Sequence, residues 1–300
     1  MRLLALALAT ALAAPTALAQ PTPPPSPAPT KRPIAIDDVL RVRTVSDPRI
    51  SPDGAWVAYV VKAYDLERDE QTSDIWMTRW DGSRQVRLTT SPEDDTSPRW
   101  SPDGRSIAFL SARGGDDDGE DAETQVWLLD TAGGEATPLT RMEGGVEDFA
   151  WSPDGRRLVL VAKDPDPEKA GREAAGSKKK SPRPIVVDRY TFKVDYVGYL
   201  DGRRSHLVLY DIATRKAEPL TTGAFDDALP AFSPDGSRIA FASKRGGDPD
   251  RHWNWDLFVV DAKPGAAPRA LTSFPGSDGG PEWESAPAWS PDGRWIAYLR

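Results

Sequence analysis

Few residues in this chain of 300 have the types and spacing needed for acid–base or nucleophilic chemistry. The sequence contains two histidines, His206 and His252, and no cysteine. A Ser-His-Asp catalyst places its serine on a strained turn such as G-x-S-x-G, and no such turn occurs. Neither histidine stands at metal-ligand spacing from a second histidine. We therefore predict no catalytic, cofactor-binding or metal-binding residue. We expect both histidines to be structural or exposed.

Two charged runs are better explained by solvation than by ligand binding. Asp116–Asp121, "DDDGED", lacks the alternate spacing and the distal Glu of a calcium-binding loop, which favours a solvated loop tip. Lys178–Lys180 lies within residues 163–184, a charged stretch of small residues and prolines. Such a composition indicates a mobile excursion rather than a phosphate site.

Aromatic and guanidinium side chains leave two interpretations open. Trp253, Trp255 and Trp283 are of the kind that line a ligand groove, but packing in the core or between repeats is the commoner role. Arg203 and Arg204 have the geometry to bind a peptide carboxylate bidentately. They are equally able to pair with neighbouring acids.

The N-terminal residues read as a secretory signal followed by a linker. Arg2 precedes an apolar run, Leu3–Leu12, and residues 17–19 form an A-x-A cleavage site. The run is too short to span a bilayer, so removal of residues 1–19 leaves no membrane span. Residues 20–33 are Pro-rich and predict an extended linker. We expect a secreted, periplasmic protein.

The composition restricts the partners and the source of stability. A net charge of −8 without a basic stripe argues against nucleic acid as a partner. A secreted chain without cysteine cannot use disulfides, so packing must stabilise it. With 39% hydrophobic residues and 11 tryptophans, it can bury a substantial core.

Two short motifs repeat in phase along the chain. Both are stretched in the third unit, which therefore carries an insertion of roughly thirty residues within one structural repeat. Ser-Pro-Asp-Gly has the chemistry of a tight turn, in which Ser or Asp bonds nearby backbone and Gly takes a left-handed conformation. Ser-Pro-Asp-Gly occurs at 51–54, 101–104, 152–155, 233–236 and 290–293, and Leu-Thr at 88–89, 139–140, 220–221 and 271–272.

Each unit contains four short β-rich runs joined by hairpin turns. An apolar residue precedes the turn, an alternating run such as "WVAYVV" follows it, and a third run such as "DIWMTRW" leads to a last strand near Leu-Thr. Four strands per period of about fifty residues predict an all-β fold, a β-propeller with four-stranded blades. The only helical pattern is Ile36–Arg43, with Asp37 or Asp38 as a cap.

The predicted domain occupies residues 34–300, with blades at about 46–90, 96–141, 147–222, 228–273 and 285–300. The fifth unit has only its first two strands, so the ring is incomplete, and we expect it to be part of a seven- or eight-bladed propeller. In the third blade, alternation in residues 185–187 and 190–194 predicts extra strand.

Two segments resemble a known family of serine peptidases. The opening "IDDVLRVRTVSDPRISPDGAWVAYVV" and the third-blade segment "RPIVVDRYTFKVDYVGYLDGRRSHLVLYDIATRKAEPLT" are similar to the acylaminoacyl-peptidase and dipeptidyl-peptidase-like branch of the prolyl oligopeptidase family. The resemblance covers residues 34–300. It implies an N-terminal propeller that restricts peptide substrates entering a C-terminal α/β-hydrolase domain. That catalytic domain is absent from these residues, so the resemblance carries over no catalytic residue and implies that this chain alone is inactive.

A non-catalytic propeller of the TolB type, binding a protein or cell-envelope partner, is the alternative. The Trp-Ser-Pro-Asp-Gly turns also resemble those of TolB, so the motif alone does not discriminate. A TolB-type protein places a separate α/β domain before its blades, whereas the first blade here begins about a dozen residues after the linker. This spacing and the third-blade insertion favour the peptidase.

The incomplete fifth unit predicts that residues 20–300 aggregate when expressed alone. Unpaired strand edges bearing Trp295, Ile296 and Tyr298 would be exposed on that unit. Size-exclusion chromatography and urea unfolding test this expectation. A monomer that unfolds in one cooperative transition would contradict the open ring.

Overall fold

A computed structural model describes residues 32–67, 69–114, 122–167, 185–187, 189–195, 198–281 and 286–300. The signal segment, most of the linker, the acidic run, Lys178–Lys180 and Trp283 lie outside the described residues. The chain divides into two units, one up to Val39 and one from Leu40 to Arg300. Among the described residues, no helix is long and apolar enough to cross a membrane.

The first unit contains one short helix, α1 (Ile36–Val39). The carboxylate of Asp38 accepts a hydrogen bond from the backbone N–H of Ala35 at 2.8 Å, which satisfies one free donor at the helix start. The predicted helix over residues 36–43 is therefore too long. Leu40 and Val42 are exposed, so no buried apolar face supports further helical turns.

The second unit is built from four antiparallel four-stranded sheets, which are the blades, and a final two-stranded hairpin. Strands follow chain order within each blade, except that the insertion separates the second and third strands of the third blade. This arrangement confirms the predicted all-β propeller fold. The blade strands are β1 (Thr44–Ile50), β2 (Trp56–Asp65), β3 (Glu70–Arg79), β4 (Gln85–Arg87); β5 (Asp95–Trp100), β6 (Ser106–Ser111), β7 (Gln125–Asp130), β8 (Thr137–Pro138); β9 (Val146–Trp151), β10 (Arg157–Lys163), β13 (Ser205–Asp211), β14 (Lys216–Pro219); β15 (Asp227–Phe232), β16 (Arg238–Ser243), β17 (Asp256–Asp261), β18 (Arg269–Ala270); and, in the final hairpin, β19 (Ala288–Trp289), β20 (Ile296–Ala297).

The Ser-Pro-Asp-Gly turns join the first two strands of each unit through the same side-chain bonds. In the third blade, Ser152 donates its hydroxyl to Asp154 at 2.6 Å and accepts the backbone N–H of Arg157 at 2.9 Å. Gly155 has a φ of +69°, a left-handed conformation that glycine adopts without steric cost. The serine, rather than the strand ladder alone, therefore holds the turn closed.

The Leu-Thr motif lies just beyond the fourth strand and binds the third. The hydroxyl of Thr140 accepts the backbone N–H of Val126 at 2.9 Å. Thr221 accepts the N–H of Leu207 at 2.8 Å in the same way. Each of these threonines is buried, so its hydroxyl replaces the water that would otherwise satisfy the amide. The repeated threonine thus satisfies a backbone N–H of the third strand at a point beyond the end of the fourth strand.

Apolar side chains fill the spaces between neighbouring blades. Leu110 and Val126 of the second blade pack with Phe149 and Leu160 of the third. A second cluster joins the third and fourth blades, where Val161 and other side chains pack with fully buried Ile239 and Phe241. The alternating runs thus bury one face against the preceding blade and the other against the next one, which explains their nearly continuous apolar character.

The third-blade insertion contributes less strand than predicted. It forms only a two-stranded hairpin, β11 (Lys193–Val194) and β12 (Gly198–Tyr199). Residues 185–187 are not a strand. All three side chains are more than half exposed, with Val186 at 71%, so no buried face rewards their alternation.

Ser152→Ala is expected to lower the free energy of unfolding by about 1–3 kcal/mol, because it removes the buried hydroxyl that accepts the backbone N–H of Arg157. Ser290→Ala is the matched control, since Ser290 makes the same bonds in the exposed final turn. We expect the control to cost less than about 1 kcal/mol because water can replace the lost hydroxyl. Urea unfolding measures both, and equal costs would contradict the role of burial.

Candidate functional site

The inner strands of the four blades surround an open cavity of about 730 Å³. We call it the axial cavity. Strands β1, β5, β9 and β15 line its wall, so every blade contributes to it. In each blade, the residue four positions before the serine of the Ser-Pro-Asp-Gly turn lines the cavity. That position is occupied by Asp47, Ser97, Asp148 and Leu229.

The backbone is strained at three of these four positions. Asp47, Ser97 and Leu229 have φ values of +47°, +54° and +54°. Each precedes a proline, and the pairing of the inner strand with its neighbour shifts register there. Proline cannot donate to a strand ladder, so it is tolerated at such a bulge. A left-handed conformation at a non-glycine residue costs about 1–3 kcal/mol, and such residues cluster at functional sites.

An alternating chain of charges crosses the cavity wall. Arg99 of β5 donates through Nη1 to Oδ2 of Asp47 on β1 at 2.6 Å. Its Nη2 lies 3.9 Å from Oδ1 of Asp148 on β9. Arg49 binds the other oxygen of Asp47 at 2.6 Å. Burial raises the pKa of the Asp148 carboxyl, and the charge of Arg99 opposes that rise.

His206 lies at the seam between the third and fourth blades, where its side chain is nearly buried. Its Nδ1 is 3.8 Å from Oδ2 of Asp227, and its Nε2 is 3.7 Å from Oδ1 of Asp164. Asp227 also accepts the hydroxyl of Ser243 at 2.5 Å and the guanidinium of Arg245 at 2.9 Å. We interpret His206 as a structural residue of this seam, where it lies between two carboxylates.

Burial by itself would raise the pKa of Asp227. The contacts with His206, Arg245 and Ser243 outweigh this effect and hold the pKa below its usual range. His252, the other histidine, is half-buried in the loop after a 3₁₀ turn, Pro249–Arg251. Its Nδ1 accepts the backbone N–H of Asn254 at 3.2 Å, a local bond that orders the loop.

The two tryptophans that the structure describes differ in environment. Trp255 is buried and packs with Ala242 and Leu257. Trp253 is 71% exposed. The ammonium of Lys244 lies 5.4 Å from the ring centroid of Trp253 and 5.9 Å from that of Trp255. Trp255 therefore has the packing role, whereas Trp253 presents an open aromatic surface.

Arg203 and Arg204 pair with neighbouring acids. Arg203 binds Asp201 at 2.6 Å. Arg204 binds Asp226 at 2.9 Å and lies 3.6 Å from Asp250. Of the two interpretations that the sequence leaves open, the structure therefore shows ion pairing.

Asp250 also receives Arg189 of the insertion, with the closer nitrogen–oxygen contact at 2.5 Å. This pair is largely buried and joins the third-blade insertion to the loop that precedes β17 in the fourth blade. The insertion is thus fastened across the seam between two blades.

The charged residues of the axial cavity could not be predicted from the sequence. Asp47, Arg99 and Asp148 come from three different blades, and nothing in their local sequence marks them as neighbours. One feature of the sequence does point to this wall. In four of the five units, a proline lies three residues before the serine of the turn. Those prolines mark the bulges that set the backbone of the cavity wall.

Within the described ranges, no group of three or more His, Cys, Asp or Glu side chains is arranged to hold a metal ion. The side chains that line the axial cavity include charged and polar groups, among them Asp47, Arg99 and Asp148. Carboxylates and guanidinium groups on its wall can bind and orient a flexible chain by charge and hydrogen bonding.

Two family models match the chain in succession. Residues 40–182 match the TolB beta propeller domain, and residues 201–300 match the dipeptidyl peptidase IV N-terminal region. Together these ranges cover most of the second structural unit.

Similar proteins include peptidases. The chain is 33% identical over 230 residues to the uncharacterized peptidase YuxL of Bacillus subtilis, covering 77% of this chain and 34% of that protein. It is 26% identical over 266 residues to dipeptidyl-peptidase 5 of Porphyromonas endodontalis, covering 83% and 36%. The chain thus spans about a third of the length of these curated relatives.

Solved structures show the same fold. Acylaminoacyl peptidase of Pyrococcus horikoshii superposes with a TM-score of 0.57 at 20% identity, over 77% of this chain and 33% of that one. TolB from Agrobacterium tumefaciens superposes with a TM-score of 0.50 at 20% identity, over 85% and 75%.

Asp227→Asn is expected to lower the free energy of unfolding at pH 7 by about 3–5 kcal/mol, because it removes the buried half of an ion pair and leaves the half-buried Arg245 without its counter-charge. The folded pKa of Asp227 is lowered, so its contribution is present above the unfolded value of about 3.9 and is lost as pH falls through the folded value. The difference from wild type should therefore narrow in acid.

Asp261→Asn is the control, since Asp261 pairs with Lys263 at an exposed site. We expect it to change stability by less than about 0.5 kcal/mol. Urea unfolding from pH 7 down to pH 3 measures both variants. A gap between Asp227→Asn and wild type that does not depend on pH would contradict the assignment.

Proposed function

We propose that residues 40–300, which belong to the N-terminal propeller of a prolyl oligopeptidase family protein, form the substrate gate of a secreted peptidase that hydrolyses short peptides. The observation that carries this proposal is the axial cavity, whose wall contains residues from all four complete blades. The peptide substrate and the catalytic partner are part of the proposal.

A size argument links the cavity to peptide selection. At about 730 Å³ the cavity is within the range of pockets that hold small ligands. A folded domain of 100 residues has a radius of gyration of about 13 Å, far too large to enter. An extended peptide presents only its own cross-section, so such a ring admits flexible chains and excludes folded proteins.

Bond cleavage is assigned to a separate α/β-hydrolase domain of the same polypeptide. Its nucleophile would form an acyl-enzyme with the peptide, and backbone donors would stabilise the oxyanion. Residues 1–300 contain no G-x-S-x-G, so the present chain contributes selection and inter-domain contacts rather than chemistry. The similarity to peptidases more than twice as long supports this division of roles.

The signal segment supports a secreted, periplasmic location. Residues 1–19 carry the charged start, the apolar run and the small-residue site of a cleavable signal. Cleavage there would leave Gln20 as the first residue of the mature protein. N-terminal sequencing of the exported protein tests this part of the proposal.

A TolB-type binding role is the second candidate function. The TolB propeller model matches residues 40–182, and the Agrobacterium TolB structure shares the fold over 85% of this chain. In that case the exposed aromatic and charged surfaces would bind a cell-envelope partner, and no hydrolysis would occur. The complete coding sequence distinguishes the two candidates.

The complete gene product is expected to contain a G-x-S-x-G serine downstream of Arg300. It should cleave short fluorogenic peptides but not folded proteins. Replacing that serine by alanine should abolish cleavage, by a factor of about 10⁴ or more. Unfolded casein and a folded domain of equal length serve as the paired substrates for size selection. A stop codon after Arg300 with no such serine would contradict the peptidase proposal and favour the binding role.

A further inference from the structure

We propose that Arg99 is a positioning residue that fixes the bore of the axial cavity, by tying together the inner strands of three consecutive blades. Its consequence for substrate length rests on the proposed gating function. Its consequence for cavity geometry does not, and the experiment below separates the two.

Arg99 contacts both neighbouring blades from one side chain. Its guanidinium binds Asp47 of the first blade at 2.6 Å and reaches to 3.9 Å from Asp148 of the third. The same Nη1 donates to the carbonyl of Pro98 at 3.0 Å, which fixes the side chain against its own strand. The Arg99 side chain is only 22% exposed, so solvent screens these contacts less than those of a surface pair.

The backbone of Arg99 takes part in the same connection. Its carbonyl accepts the indole N–H of Trp151 from the third blade at 3.2 Å. In turn, Trp100 beside it donates to the carbonyl of Arg49 in the first blade at 2.9 Å. The blades are separate sheets that share no strand, so side-chain links of this kind set the spacing between their inner strands.

The link is confined to one side of the ring. Alanine occupies the position of Arg99 in the third and fourth blades, as Ala150 and Ala231. The fourth blade also presents Leu229 where the first and third present aspartates. The cavity wall is therefore held by charge across blades one to three and is apolar at blade four. Loss of Arg99 would release the inner strands on the charged side, where two aspartates would then lack their shared cation.

The absence of cysteine makes a distance measurement across this link direct. Ser46→Cys and Glu147→Cys place spin labels beside Asp47 and Asp148, at the two ends of the bridge, in the complete gene product. Both positions are exposed. With Arg99→Met, we expect the label-to-label distance measured by pulsed electron spin resonance to increase or broaden by more than about 2 Å, the scale of a real backbone rearrangement.

Arg49→Met is the matched control. Arg49 carries the same charge and binds the same aspartate at 2.6 Å, but its side-chain ion pair stays within the first blade. The control should leave the distance distribution unchanged. A distribution that is equally narrow in wild type, Arg99→Met and Arg49→Met would overturn the inference.

Peptide hydrolysis gives the second readout. The ratio of kcat/KM for a long, flexible peptide to that for a short one should rise about tenfold in Arg99→Met, because a wider bore relaxes the filter; tenfold corresponds to about 1.4 kcal/mol. A changed distance with an unchanged ratio would support the positioning role and count against the gating function. An unchanged distance with a changed ratio would overturn the positioning role, since Arg99 would then act by direct contact with the peptide.

Discussion

The stacking of each Ser-Pro-Asp-Gly turn on the turn of the preceding blade is the constraint on which the rest of this structure depends. A side-chain carbon added to Gly155 would lie 3.5 Å from the ring of Pro102, and the same relation recurs for Gly104 with Pro52. From the second unit onward, each turn glycine thus lies close to the proline of the preceding turn. The glycine also has a left-handed φ, so replacing it with another residue would strain the turn. The stacked turns help to set the interval between blades, together with the apolar clusters that fill the space between them.

Once that interval is fixed, the inner strands must lie side by side around the axial cavity. Trp151 and Trp289, which directly precede their turns, each donate an indole N–H to a carbonyl on the inner strand of the preceding blade. These bonds are a second connection between neighbouring blades. The bulges at Asp47 and Leu229 then direct side chains to the cavity wall, at a cost in backbone strain that the packed blades offset. A charged cavity wall arises in this way from one residue of each repeat.

Charged pairs at the blade seams follow a common plan with different residues. A residue of a third strand faces the start of the next blade's first strand, as His206 faces Asp227 and as Asp74 lies near Asp95. Burial raises the pKa of Asp74, and the charge of Asp95 adds to that rise, whereas the charge of Arg87 opposes it. Seams between neighbouring blades therefore differ in their response to acid, because the pKa of Asp74 is raised whereas that of Asp227 is lowered.

The sequence by itself determined the repeat, the turn geometry, the strand alternation and the lack of a G-x-S-x-G turn, because each depends on residues close together in the chain. It did not determine that residues 185–187 stay out of the sheet, since alternation forms a strand only where one face is buried. Nor did it reveal the contact of Asp47 with Arg99, which are 52 residues apart. Only the tertiary structure decided such contacts, because the packing of whole blades, and not local preference, brings one residue from each repeat to the same wall.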